Sequence, residues 1–168
     1  MTTATIIAID PGPCESAYVV WNGSSIGESG KVPNEEMRQA LIAMDLSGQF
    51  DRCVIEMIAS YGMPVGAEVF ETCVWIGRFM EAFGADRCDR IKRKEVVTHL
   101  CGSARAKDSN VRQALIDRIG KPGTKKQPGP TYGVSGDVWS ALAVGITWWD
   151  SRAVRQIAAV GAGRDERG

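Results

Sequence analysis

The N-terminal stretch TIIAIDPGPCESAYVVW constrains the fold more than any other part of the sequence. An apolar run ends in Asp10, a Pro-Gly-Pro turn follows, and a second strand-like run begins at Ser16. Short runs rich in β-branched and aromatic residues between turn signals are typical of strands, and Asn22-Gly23 is a strong hairpin signal. The chain is therefore predicted to open with three antiparallel strands, at residues 5–9, 16–21 and 25–32.

The rest of the chain alternates helical and extended patterns. Short apolar runs at 53–58 and 87–91 predict two further strands, and the Gly-, Pro- and Lys-rich stretch 120–134 predicts a loop. Three antiparallel strands followed by alternating helices and strands indicate an α/β fold with a mixed sheet covered by helices on both faces. We expect one domain over residues 1–152 and a C-terminal tail over 153–168. Helical spacing of apolar residues predicts helices at 33–46, 65–83, 94–100, 110–119 and 137–149.

Composition narrows the class of protein. A chain of 168 residues with 44% hydrophobic and 24% charged residues suits one globular domain. Its apolar runs are too short to span a bilayer and its N-terminus lacks a secretory pattern, so we expect a cytoplasmic protein without membrane association. The five cysteines are widely spaced and there is one histidine, which argues against a structural zinc site and a disulfide framework.

Positive charge is concentrated in one part of the chain although the net charge is zero. Residues 1–86 carry 4 Lys+Arg and 12 Asp+Glu, whereas residues 87–126 carry 12 Lys+Arg and 4 Asp+Glu. Such asymmetry is a recognised indication of nucleic-acid binding. A solvated basic helical face that complements an acidic one would give the same counts, and the charges alone favour neither interpretation.

Three acidic residues stand where acids are uncommon unless they have partners. Asp10 ends the first predicted strand, Glu56 lies in the apolar run VIEMI, and Asp137 begins the last predicted helix. If the first and fourth strands are parallel neighbours, Asp10 and Glu56 emerge at the same sheet edge, where ligand sites gather. Converging carboxylates repel one another and need a cation, and oxygen ligands select Mg²⁺ or Mn²⁺. Two such ions could activate a water and stabilise the leaving oxygen of a phosphodiester.

Each acid also has a simpler interpretation. Asp10 before Pro-Gly could be a turn residue, and Glu56 could pair with an arginine. Asp137 could cap its helix or favour the helix dipole in the first turn. Together the simpler interpretations explain the sequence less well, because acids are rarely buried without partners.

Four segments in a fixed order resemble a known family. They are IAIDPG near the N-terminus, VIE in mid-chain, the basic segment RKEVVTHLCGSARAKDSNVRQAL and the closing GDVWSALAVGITWW. Over residues 5–149 the chain resembles the RuvC-type Holliday junction resolvases, nucleases of the ribonuclease H-like superfamily, and a bacteriophage origin would suit its compact size. The resemblance implies a ribonuclease H-like mixed five-stranded sheet flanked by helices on both faces.

The resemblance also implies a divalent-metal-dependent endonuclease that cleaves four-way DNA junctions as a homodimer, in a bacterial or phage-infected cell. Asp10, Glu56 and Asp137 match the family's catalytic carboxylates and would bind two Mg²⁺ ions, for which Mn²⁺ could substitute. The family commonly has a second acid one turn along the last helix, where this chain has Ser140. Either three acids suffice, which we favour, or Asp108 completes the site, or activity is weakened. We expect Asp108 instead to cap the helix that begins near residue 110.

Several residues are predicted to contact DNA. Lys107 matches the family's basic residue near the active site and could contact the scissile phosphate, although a plain surface lysine is the alternative. Tyr61 could stack on an unpaired base at the junction centre, or pack against the neighbouring helix. The other predicted backbone contacts, which could equally be solubilising charges, are Lys92, Arg93, Lys94, Arg105, Arg112, Lys125 and Lys126.

Two other functions fit the same sequence. The chain could be a module with the same fold that binds branched nucleic acid without cleaving it. The serine at position 140, where the family commonly has an acid, favours this alternative. It could also be a nuclease for flaps, forks or structured RNA. No residue pattern in the sequence distinguishes among these substrates.

Overall fold

Five strands form the centre of the molecule, as the sequence predicts. A computed structural model describes the backbone of residues 4–165 and the side chains of residues 4–153 and 156. The sheet order is third, second, first, fourth and fifth strand. The strands are β1 (Ile6–Asp10), β2 (Glu15–Trp21), β3 (Ile26–Pro33), β4 (Arg52–Met57) and β5 (Cys88–Lys92).

The sheet combines antiparallel and parallel pairing. β1 and β3 both pair antiparallel with β2, whereas β4 pairs parallel with β1 and with β5. The register of β1 and β4 places Ile9 opposite Ile55. The next residues, Asp10 and Glu56, therefore emerge side by side at the carboxyl edge of the two strands.

Helices cover both faces of the sheet and complete the predicted mixed five-stranded α/β fold. Two helices pack on one face and three on the other, each face with its own hydrophobic core. The first face holds α1 (Asn34–Ser47) and α2 (Ala67–Phe83). The second holds α3 (Arg93–Cys101), α4 (Asp108–Ile119) and α5 (Val138–Asp165).

β1 contributes to both cores. Successive strand side chains point to opposite faces, so Ile7 and Ile9 pack towards α1 and α2 while Ile6 and Ala8 pack towards α5. All four side chains are fully buried. A strand buried on both faces reads as an unbroken apolar run, and burial of each large aliphatic side chain stabilises the fold by roughly 1.5–3 kcal/mol. This explains why an aspartate at the end of the run stands out.

The predicted loop between α4 and α5 forms a compact turn. Gly123 makes a β-bridge with Pro128, and the N–H of Gly129 donates to the carbonyl of Pro122 at 2.8 Å. A side chain at Gly129 would collide with the carbonyl oxygen of Lys121, so this close approach requires glycine.

The last helix begins as predicted but ends later. α5 continues to Asp165, whereas the apolar pattern predicted an end at residue 149. The residues beyond 149 include many good helix formers, such as Ala, Arg and Gln, which extend a helix without requiring a buried face. Residues 166–168 of the predicted tail lie outside the described residues, and the domain boundary after residue 152 stays a prediction. Between residues 4 and 165, no helix has both the length and the apolar character needed to cross a lipid bilayer.

A single carboxylate joins the three helices of the second face. Asp150 on α5 accepts hydrogen bonds of 2.6 and 2.7 Å from Arg118 on α4, and its Oδ2 lies 2.6 Å from Nε2 of His99 on α3. The bidentate arginine contact is the main reason why the pKa of Asp150 is lowered. The basic segment 87–126 is thereby attached to the helix that begins beside Asp137.

We expect Gly145→Val to destabilise the protein by about 1–3 kcal/mol through overpacking. A Cβ at Gly145 would lie 3.0 Å from the Cβ of Ala8, so larger groups must separate α5 from β1. Urea denaturation should show a lower midpoint at an unchanged slope. The control is Gly77→Ala on α2, where nothing lies within 4 Å of the added Cβ. That change should stabilise by about 0.5–1 kcal/mol, and equal effects of the two substitutions would contradict the packing described.

Candidate active site

Asp10 and Glu56 form the centre of the site. Burial is the largest contribution that raises the pKa of Asp10, to about 6, and the negative charge of Asp137 is the next. Burial likewise raises the pKa of Glu56, to about 7, with the charge of Asp10 as the next contribution. Asp10 thus lies within electrostatic reach of the other two predicted carboxylates, and like charges at a desolvated sheet edge repel one another.

A buried hydrogen-bond network fixes the turn after Asp10. The hydroxyl of Ser16 donates to Oδ1 of Asn34 at 2.6 Å, and the amide of Asn34 donates to the carbonyl of Gly12 at 2.9 Å. The backbone N–H of Asn34 also donates to the carbonyl of Cys14 at 2.9 Å. Ser16 and Asn34 are almost completely buried, so the Pro-Gly-Pro turn is attached to the start of α1. No sequence pattern indicated these two supporting residues.

Asp137 is held by a lysine that was not predicted from the sequence. Nζ of Lys31 on β3 donates to Oδ2 of Asp137 at 2.7 Å, and this bond raises the pKa of Lys31. The two side chains are 45% and 56% exposed. Exposed ion pairs contribute about 0–1 kcal/mol, so the pairing restrains Asp137 only weakly. Lys31 is 106 residues away along the chain, and no local pattern connects it with the acids.

An arginine lies beside Glu56 but makes no hydrogen bond to its carboxylate. Nη1 of Arg93 lies 3.8 Å from Oε2 of Glu56, which is too long for a hydrogen bond. Both atoms are buried and have no hydrogen-bond partner. The positive charge lowers the pKa of Glu56, but burial and the charge of Asp10 outweigh it. The simpler interpretation of Glu56 as the partner of an arginine therefore explains only part of its surroundings.

Asp108 is not the helix cap that the sequence predicted. It is the first residue of α4, and the side chain that bonds back at this terminus is Asn110, whose Oδ1 accepts from the N–H of Lys107 at 2.9 Å. The carboxylate of Asp108 instead bonds to Nη2 of Arg93. The charge of Asp108 contributes to the raised pKa values of Asp10 and Glu56, so Asp108 belongs to the electrostatic surroundings of the site.

The carboxylate oxygens of these acids are chemically suited to bind a hard divalent ion. As they are placed, no three His, Cys, Asp or Glu side chains of the described residues lie close enough together to hold a metal ion. Asp10 and Glu56 nevertheless offer the oxygen donors that Mg²⁺ prefers, and Oε2 of Glu56 is buried without a partner. Asp137 could join them at low cost, because its only described ion pair is the exposed one with Lys31.

Two hollows of about 370 Å³ each meet at Asp137. One lies over the Pro-Gly-Pro turn and is lined by Asp10 and Lys31. The other, the α4–α5 hollow, is lined by Arg93, Asp108, Ser109, Val111, Arg112, Gly136, Asp137, Trp139 and Ser140. Asp137 lines both hollows, so they adjoin one another at this carboxylate.

The predicted DNA-contacting residues divide into two groups. Arg93 is partly buried within the acidic site itself. Tyr61 is 62% exposed, so much of its ring faces solvent. Its role in stacking stays a prediction, as do the DNA contacts of the basic residues. The remaining basic residues are all exposed: Lys92, Lys94, Arg105, Lys107, Arg112, Lys125 and Lys126.

The fold is similar to that of Thermus thermophilus RuvC. One structure of that protein has 17% sequence identity to this chain and a TM-score of 0.61, over 85% of this chain and 92% of its own. A second, T. thermophilus RuvC in complex with Holliday junction substrate, has 16% identity and a TM-score of 0.64, over 86% and 92%. No family model and no curated protein sequence matches the chain. These comparisons confirm the RuvC-like fold.

The raised pKa values predict that the metal-free protein loses stability as the pH rises from about 4 to 7. Asp10 and Glu56 keep their protons up to pH values of about 6 and 7 in the folded protein, against ordinary pKa values of 3.8 and 4.5. The folded state then binds more protons than the unfolded state, so the free energy of unfolding falls with rising pH, by on the order of 2 kcal/mol per group.

Urea denaturation in EDTA between pH values of about 4.5 and 7.5 measures this dependence. Glu56→Gln should flatten the profile, whereas Glu81→Gln, which removes an exposed acid from α2, should leave it unchanged. A Glu56→Gln profile as steep as that of the wild type would be inconsistent with a carboxyl that holds its proton in the folded state.

Proposed function

We propose that this protein is a Mg²⁺-dependent, structure-selective endonuclease that cleaves four-way DNA junctions. The observation that carries the proposal is the side-by-side placement of Asp10 and Glu56 at the carboxyl edge of β1 and β4, with Asp137 within electrostatic reach of Asp10. The likeness to RuvC in complex with Holliday junction substrate favours branched DNA over other phosphodiesters.

Asp10, Glu56 and Asp137 would hold two metal ions, for which Mn²⁺ could substitute. When bound, such ions supply an activated water and neutralise the charge that develops on the leaving oxygen. The protein's own contribution is orientation, because the buried bonds of Ser16 and Asn34 fix the turn that follows Asp10.

Two basic residues are suited to the substrate side of the site. Lys31, once Asp137 is engaged elsewhere, leaves an exposed ammonium group beside the hollow that Asp10 lines. Lys107 precedes α4 with an exposed side chain and would contact the scissile phosphate, as the family resemblance implies. Positive charge at these positions would stabilise the phosphorane-like transition state.

A homodimer suits a four-way junction, because two sites related by a two-fold axis can cut opposing strands. α2 carries an exposed apolar surface that could form such an interface. Phe70 and Val74 are 62% and 57% exposed, and their spacing of four residues places them on the same side of the helix. Exposed apolar side chains that adjoin one another often mark protein–protein contacts.

A second candidate function is a binding module that recognises branched nucleic acid without cutting it. Two observations favour it: Ser140 stands where the family commonly has an acid, and the described acids do not form a ready three-residue cluster. Retained junction binding with no cleavage in either Mg²⁺ or Mn²⁺ would establish this alternative. A panel of four-way junctions, flaps, forks and structured RNA would define the substrate.

We expect Asp10→Asn to lower the rate of junction cleavage in Mg²⁺ by at least about 100-fold, since metal ions supply several kcal/mol of charge stabilisation. Binding in EDTA should survive, because the substitution removes a negative charge from the DNA-facing edge. Glu81→Gln on the exposed side of α2 is the charge-matched control and should cleave at the wild-type rate. Undiminished cleavage by Asp10→Asn would refute the role of this carboxylate.

We expect the wild-type protein to sediment as a dimer and Val74→Glu to sediment as a monomer, because a carboxylate in an apolar interface is costly to desolvate. Leu46→Glu is the control, since Leu46 is 81% exposed at the end of α1 and does not belong to the α2 surface. Sedimentation velocity distinguishes the species. Dimers that persist in Val74→Glu would place the interface elsewhere.

A further inference from the structure

Arg112 on α4 lines the α4–α5 hollow and carries a positive charge without an ion pair among the described residues. Its guanidinium lies over the ring of Trp139, 5.2 Å from the ring centroid, and Trp139 is only 7% exposed. Among the described side chains, no carboxylate lies within ion-pair distance of Arg112, whereas Arg38, Arg78, Arg87, Arg93 and Arg118 each have one. Stacking on a buried indole holds the guanidinium in place and leaves its N–H groups available.

The surroundings of Arg112 are those of an anion site. The α4–α5 hollow is also lined by the hydroxyl-bearing residues Ser109 and Ser140, and neither hydroxyl makes a hydrogen bond within the described part of the chain. The two acids of the hollow already have cationic partners, since Asp108 pairs with Arg93 and Asp137 with Lys31. The positive charge of Arg112 is therefore not neutralised inside the hollow.

Arg93 lines the same hollow, but its guanidinium is already engaged. Its Nη2 bonds to Asp108, and its buried Nη1 lies beside Glu56, which leaves Arg112 as the guanidinium available to a ligand. Planar guanidinium groups match the paired oxygens of a phosphate, with shorter and stronger bonds than neutral donors make. A hollow lined by one guanidinium without an ion pair and by two hydroxyls without hydrogen bonds favours a phosphate over a metal ion, because both of its acids already have cationic partners.

We propose that the α4–α5 hollow binds a backbone phosphate of the DNA strand next to the phosphate that is cleaved, with Arg112 as its main charged contact. This inference rests on the nuclease function proposed above. It also gives Ser140 a role: a hydroxyl can donate to the phosphate at a position where an acid would repel it. The serine in place of the acid would then change the ligand of the α4–α5 hollow from a cation to an anion.

Junction binding in EDTA, followed by fluorescence anisotropy over a range of NaCl concentrations, tests the proposal without cleavage. Arg112→Gln should weaken binding by about tenfold, since the variant loses a charge-assisted hydrogen bond to the phosphate. It should also lower the slope of log affinity against log salt by about 0.9, the loss of one phosphate contact. Arg112→Lys should restore the slope but not the full affinity, because lysine keeps the charge and lacks the planar fork.

The control is Arg38→Gln. Arg38 on α1 pairs with Glu35 and lies on the opposite face of the sheet, outside the α2 surface. The Arg38→Gln variant should bind within about twofold of the wild type, because Arg38 contributes no phosphate contact. If Arg112→Gln, folded by circular dichroism, binds as tightly as Arg38→Gln, the phosphate site is wrong while the nuclease proposal stands. If the wild type binds no branched DNA at all, the proposed function itself fails.

Discussion

The parallel pairing of β1 with β4 is the contact on which the site depends. It joins distant segments of the chain, Ile9 with Ile55, and so forces two acids to share one desolvated sheet edge. This position destabilises the ionised forms of both acids, because burial and mutual repulsion both oppose ionisation. The cores on the two faces of the sheet provide the free energy that holds the strands together despite this repulsion. The site is therefore a local departure from the rule that buried charges are paired, maintained by packing elsewhere.

Protein cations offset part of the negative charge of the acids. Lys31 neutralises Asp137, and Arg93 lies between Glu56 and Asp108. These contacts differ in strength: the lysine pair is exposed and weak, whereas Arg93 brings one buried donor that bonds to nothing. Under the proposals above, the hollow over the Pro-Gly-Pro turn would gain a cation, and the α4–α5 hollow, with Arg112, would gain an anion. A phosphodiester that carries metal ions presents both charges at once.

Local sequence patterns predicted the elements well because each reflects local physics. The apolar run of β1, the Asn-Gly turn and the helical spacing of α1 and α2 depend on neighbours along the chain. The position of Asp10 and Glu56 was also predictable, since a carboxylate at the end of a fully apolar strand seldom serves packing. The contacts of Lys31, Asn34 and Arg93 were not predictable in this way, because they depend on which strands and helices become neighbours in space. Asp108 illustrates the difference: an acid beside a helix start favours a capping role locally, but the tertiary fold places Arg93 within its reach.

Gly145 has no side chain and lets α5 pack closely on Ala8, so a small tilt of α5 about this contact would displace residues at its N-terminal end. Asp137 precedes Gly145 along the chain by about 12 Å of helix axis. A tilt of about 10° around the point where α5 rests on Ala8 would displace the carboxylate of Asp137 by roughly 2 Å, more than the proposed metal site would tolerate. The position of this exposed acid thus depends on packing in the hydrophobic interior, at the contact of Gly145 with Ala8.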